Sequence, residues 1–84
     1  MSREEIVNTV REHLDSELSL NGQVVEESDE LATLPNADSV RLVRVAARLE
    51  RRFGVEFEDE GLFGAKTLAD LVDLVAAGLS ARQV

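Results

Sequence analysis

Asp38 and Ser39 stand directly before a run of mixed apolar and basic residues, and Ser39 has the least generic surroundings of any hydroxyl in the 84-residue chain. A serine that attacks a carbonyl needs a base beside it and a third group to orient that base. The chain offers one histidine, His13, and no cysteine, and nothing in the spacing ties His13 to Ser39. No catalytic set is assigned, and His13 reads as a solvated residue on a polar stretch. Taken alone, an Asp-Ser pair before an amphipathic run is a helix cap. The serines at 2, 16, 19, 28 and 80 have no comparable context. The acids Glu56, Glu58, Asp59 and Glu60 lack the ordered ligand spacing and turn glycine of a calcium loop, so no metal site is assigned and a solvated, partner-facing surface is expected.

The elements that must present Ser39 follow from periodicity. Ser2 and Glu5 have the spacing of a capping box, and Ile6, Val7, Val10, Leu14 and Leu18 then recur at helical steps to Leu18, with Asn21-Gly22 as the stop. Residues 19 to 37 form a long connection, which Leu31 and Leu34 are expected to pin to the core. Pro35 disfavours helix at Leu34 and announces the next element. A second helix is expected from Ser39 to Phe53, with Leu42, Val45, Ala46, Leu49 and Phe53 inward and Gly54 as its left-handed end. One or two turns from Asp59 to Phe63 come next. A final helix starts at a second capping-box-like pair, Thr67 and Asp70, and buries Leu68, Leu71, Val72, Val75 and Leu79. Phe53, Phe57 and Phe63 are expected in the core, with some of them and Leu62 bordering a cleft. The reading is all-α: three long helices, one short third helix and a long first loop, with residues 1–84 as one domain.

Composition limits what such a fold does. Seventeen acids against nine bases give a net charge of −8, which opposes general binding to nucleic-acid phosphates. At 44% hydrophobic the chain is too apolar for a disordered acidic tail, so it is expected to fold. No apolar run approaches the ~20 residues of a membrane span. The N-terminal residues also lack the order of a signal peptide. A cytoplasmic monomer without membrane contact is expected.

The segment Leu34-Pro35-Asn36-Ala37-Asp38-Ser39-Val40, followed by Leu42-Val43, Leu49-Glu50, Phe53-Gly54-Val55, Asp59-Glu60 and Thr67-Leu68 in that order, resembles the carrier-protein family. That family comprises the acyl carrier proteins of fatty-acid and polyketide synthesis and the peptidyl carriers of nonribosomal synthesis. The resemblance covers residues 5 to 79 and implies a four-helix carrier bundle. It implies that Ser39 receives a covalent 4′-phosphopantetheine arm from coenzyme A, that Asp38 helps position the site for the transferase, and that Val40 meets the arm or a partner. A helix N-terminus suits the attached phosphate. The implied partners are a phosphopantetheinyl transferase, an acyl- or aminoacyl-loading enzyme and downstream synthase, transferase or tailoring enzymes. An acyl carrier of specialised or fatty-acid-like biosynthesis is expected, as a discrete protein rather than an enzyme; a free-standing peptidyl carrier is the alternative. A helical adaptor and a helix-turn-helix DNA binder are more remote.

Two positions depart from the family pattern. Val40 stands where leucine is usual. The second helix carries Arg41, Arg44, Arg48, Arg51 and Arg52 against Glu50 alone, a local charge of +4 that leaves −12 for the rest of the chain. Two readings of these arginines stay open. In the first, Arg41, Arg44 and Arg48, with Leu62 and Phe63, meet partners whose surfaces are acidic or apolar. In the second, the arginines pair internally with acids such as Glu26 to Glu30 or Glu56 to Glu60.

Overall fold

The computed structural model describes residues 2–81 and is all-α: α1 (Arg3–Leu18), α2 (Ser39–Phe53), α3 (Asp59–Gly64) and α4 (Leu68–Ala81). Helix α1 begins where Ser2 accepts a hydrogen bond from the Glu5 amide, and it buries Ile6, Val7, Val10, Leu14 and Leu18. It ends at Leu18, as expected. Ser19 itself takes the left-handed conformation (φ 54°) and its amide bonds to the Asp15 carbonyl, while Asn21 and Gly22, also at positive φ, turn the chain into the loop. The expected ends of α2 are observed, with Gly54 at φ 66° and its amide on the Glu50 carbonyl.

One core joins the three long helices. Helix α1 packs on both α2 and α4, which also touch each other, and Val10, Leu14, Val45, Leu49, Leu68, Val72 and Val75 are fully buried there. Leu42 and Leu79 lie at its margin, half-buried rather than inside. His13 is also half-buried, because at about 100° per residue it sits beside Ile6 at the edge of the apolar stripe. Gly78 lets α4 approach closely: a Cβ there would stand 2.8 Å from the Val55 Cβ.

The long loop is pinned more heavily than two leucines alone would manage. Leu31 and Leu34 are buried as expected, and Leu20 and Val25 join them. A short 3-10 turn spans Leu31–Thr33. The backbone around it is stitched to the start of α4: Leu31 donates to the Lys66 carbonyl (2.8 Å), Leu68 to that of Asp29 (3.2 Å) and Ala69 to that of Glu27 (2.9 Å). Arg3 adds a side-chain tie, reaching Asp73 at 2.8 Å and Glu27 at 2.7 Å. Among the described residues no helix is long and apolar enough to cross a membrane.

Helix α3 is built differently. None of its residues is fully buried, and it leans on α4, where Gly61 lies against Leu74. Its Phe63 is 80% exposed, contrary to the expected core position, while Phe53 is buried and Phe57 half-buried. A six-residue helix has one apolar edge at most; Leu62 takes the inward side, so the next residue, about 100° round, points out.

Candidate functional site at the start of the second helix

The approach to α2 is set by a turn over Leu34 to Ala37, closed by the Ala37 amide on the Leu34 carbonyl at 3.1 Å. Pro35 fits its second position, and Asn36 takes the positive φ (63°) required at the third. Asn36 also donates to the Leu18 carbonyl at 2.8 Å, satisfying an orphan acceptor at the end of α1. The chain entering the site is thereby anchored to a neighbouring helix.

Asp38, extended at φ −143° and ψ 169°, is the cap residue, and its Oδ1 accepts from the Arg41 amide at 2.8 Å. Ser39 is therefore the first helical residue rather than the cap. Its side chain is exposed, and its hydroxyl makes no hydrogen bond among the described residues. Arg41 closes the arrangement from below, donating from Nη1 to the Asn36 carbonyl at 3.0 Å, with its Nε 3.9 Å from Asp38 Oδ2. The hydroxyl of Ser39 is thus held at a rigid helix start, next to amides directed at the N-terminus, and is committed to no structural role.

Beside it opens a cleft of about 160 Å³ lined by Ser39, Leu42, Val43, Leu62, Phe63 and Ala65, with Leu31 at its base. Apart from the serine the lining is apolar. Leu62 and Phe63 thus border a cleft as expected, and Val43 and Leu31 were not foreseen in that role. Val40 is 60% exposed next to the opening and is not part of the lining. Among the described residues no side chain hydrogen-bonds the Ser39 hydroxyl, and no three His, Cys, Asp or Glu side chains are grouped to hold a metal ion.

The predicted partner residues do not form one cluster. Leu62 and Phe63 lie on the α3 side of Ser39. Arg44 and Arg48 lie about one and a half and two and a half turns down α2 from Ser39 and face α1, where both reach Glu17, at 3.6 Å and 3.4 Å. Internal pairing is thus observed for these two arginines, with Glu17 rather than with acids such as Glu26 to Glu30 or Glu56 to Glu60. The reason is packing: α2 runs beside α1, so an acid in the last turn of α1 meets these arginines. Nothing local in the sequence marks Glu17 for this, whereas Asn36 after Pro35 carries a legible turn signal.

With this geometry in hand, the comparisons with known proteins are direct. Residues 8–75 match the family described as "Phosphopantetheine attachment site". The chain belongs to that family. It is similar to the acyl carrier protein of Coprothermobacter proteolyticus, with 33% identity over 79 residues that span 94% of this chain and 96% of the relative. The acyl carrier protein of Thermosynechococcus vestitus is 33% identical over 75 residues, 89% of this chain and 93% of the relative. That of Thermotoga maritima is 32% identical over 74 residues, 88% and 91% of the two chains. The chain is an acyl carrier protein by family, and covalent 4′-phosphopantetheine is the family's cofactor. The site suits that group: an exposed, uncommitted hydroxyl sits at a helix start, where free amides and the positive end of the helix dipole favour a phosphate.

Proposed function

We propose that Ser39 Oγ is the attachment point of the phosphopantetheine arm and that the chain carries acyl groups between partner enzymes of a specialised or fatty-acid-like biosynthetic pathway. One observation carries the assignment of the residue. The hydroxyl of Ser39 is exposed and unused, because Asp38 takes over the capping that a serine at this point would otherwise perform. Once attached, the arm supplies a thiol that holds the acyl group as a thioester.

Everything else expected of this chain is passive. A phosphopantetheinyl transferase moves the group from coenzyme A to Ser39 Oγ, so that a phosphodiester forms and the nucleotide half of coenzyme A leaves. Ser39 needs no base of its own for this. Asp38 fixes the angle at which the hydroxyl is presented, through the Arg41 amide. The cleft beside Ser39, walled by Leu42, Val43, Leu62 and Phe63, shelters the apolar end of a short acyl group from water. The protein works as a cytoplasmic, monomeric carrier and is itself a substrate of the enzymes that load and unload it.

Intact mass spectrometry after incubation with coenzyme A and a broad-specificity phosphopantetheinyl transferase tests the assignment. The wild-type chain gains one phosphopantetheinyl group and Ser39→Ala gains none. Failure of the wild type to gain mass defeats the carrier reading, and addition that survives Ser39→Ala moves the site elsewhere.

A further inference from the structure

The five arginines of α2 do not encircle the helix. At about 100° per residue, Arg41, Arg44, Arg48, Arg51 and Arg52 fall within a single arc of about 100°. Val40 and Val43, 60% and 53% exposed, occupy the adjoining arc on the α3 side, where Phe63 extends the apolar strip. A basic stripe therefore runs down α2, and beside its start, next to Ser39, lies an exposed apolar strip.

The stripe is not neutralised by its own protein. Arg44 and Arg48 share one carboxylate, that of Glu17, and their side chains remain 64% and 50% exposed while Glu17 is only 9% exposed. One acid cannot balance two guanidiniums, so positive charge remains on the surface. Arg51 and Arg52 are exposed and make no ion pair among the described residues. Glu50, the helix's own acid, turns away and accepts from the Phe57 amide at 2.9 Å. Arg41 belongs to the arc but is tied to the Asn36 carbonyl.

We propose that this double strip is a docking surface for partner enzymes whose carrier-binding face is apolar at its centre and acidic at its rim. The inference rests on the reading of Ser39 as the tether, since a partner seated there has the arm at its entrance. Charge complementarity selects the occupant. The stripe carries the positive charge of a +4 helix while the remaining chain carries −12, so an acidic face is drawn to α2 and repelled elsewhere, which orients the encounter. Glu17 holds Arg44 and Arg48 side by side before any partner arrives and so reduces the side-chain ordering that docking requires. Duplex DNA also seeks arginines, but the −12 on the rest of so small a protein opposes its phosphates.

The test uses the phosphopantetheine-loaded chain, its loading verified by mass, and fluorescence anisotropy to measure Kd. Two probes are compared: an acyl-transferring enzyme with a basic carrier-docking face, and the same enzyme with the lysines and arginines of that face changed to glutamate. The wild-type chain is expected to bind the acidic face at least about tenfold more tightly, with affinity that falls as salt rises. Arg51→Glu with Arg52→Glu, which leaves the Glu17 pairs in place, removes the preference. Arg44→Gln with Arg48→Gln weakens it without setting like charges against Glu17, and circular dichroism verifies that both double variants fold. Equal affinity for the two faces, or a preference that survives both double variants, overturns the proposal. So does a salt-dependent affinity for duplex DNA tighter than that for the acidic face. A chain that takes no mass from coenzyme A defeats the tether reading instead, before any docking is measured; a loaded chain indifferent to surface charge defeats only this inference.

Discussion

Three helices of this molecule start at a hydroxyl-bearing residue, and the contrast between α2 and α4 is the instructive one. At α4 the cap is Thr67 itself: its Oγ1 accepts from the Asp70 amide at 3.2 Å, and Asp70 answers by accepting from the amides of Thr67 at 3.1 Å and Lys66 at 2.8 Å. Ser2 at α1 likewise accepts from the Glu5 amide at 3.2 Å. In both, the hydroxyl is consumed by the fold. At α2 the cap has moved one residue back to Asp38, and Ser39 inherits the helix start without the capping duty. A one-residue offset thus separates a structural hydroxyl from one available for chemistry. The two starts also differ in surroundings: α4 is sewn to the long loop by backbone hydrogen bonds, whereas α2 opens onto an apolar cleft and an exposed phenylalanine.

If the offset is what matters, exchanging the roles of the two hydroxyls separates loading from stability. Ser39→Ala is expected to abolish phosphopantetheine addition completely while moving stability by no more than about 0.5 kcal/mol, as for a surface position with no partner. Mass spectrometry and urea unfolding read the two quantities on one sample. A large loss of stability in Ser39→Ala breaks the comparison at its root. Next in size is Asp38→Ala. Loss of the cap should lower stability by about 1 kcal/mol. The loosened presentation of Ser39 should slow loading by about tenfold, a barrier change of about 1.4 kcal/mol. Asp38→Asn, which still caps, should keep the stability, so any loss of loading rate in it reports the carboxylate charge alone.

Much of this contrast was legible in the sequence, for reasons that are local. The Thr67–Asp70 spacing, the Asp38-Ser39 pair, Gly54 and the stripes of α1, α2 and α4 are all set by near neighbours, and the structure has each of them. The ordered motifs around Ser39 likewise pointed to the family that the comparisons support. What was not legible depends on residues far apart. Glu17 meets Arg44 and Arg48 only because α1 and α2 lie side by side, and Leu20 and Val25 are buried only because the loop folds back on the bundle. Phe63 failed for a related reason. Its hydrophobicity favours burial in general, but the helix that carries it is too short to turn two large neighbours inward.

The α4 start supplies the reciprocal test. Thr67→Ala removes the hydroxyl that caps the helix and is expected to lower stability by about 1 kcal/mol, while phosphopantetheine addition to the folded chain proceeds at the wild-type rate. Urea midpoints and a loading time course measure the two sides. A loading defect in folded Thr67→Ala would mean that the two helix starts communicate through the loop that joins them, and the contrast would then be one of degree.

The smallest effect expected is one of pH. The amides of Lys66 and then Thr67 donate to the Asp70 carboxylate and hold its pKa below its ordinary value near 3.8, against a weaker opposing push from desolvation. A carboxyl depressed in the folded state favours folding fully above its unfolded value. That contribution is lost as the pH falls from there through the lower folded value, because the unfolded chain takes up the proton first. Stability measured between about pH 5 and pH 2 should therefore decline in the wild type with a part that Asp70→Asn lacks, since the amide still accepts from the backbone but does not titrate. Near neutral pH the variant should be slightly less stable, and the two curves should converge in acid. Parallel curves for wild type and Asp70→Asn across that range would show that the capping carboxylate contributes through its hydrogen bonds alone, with no part for its charge in holding α4 to the loop.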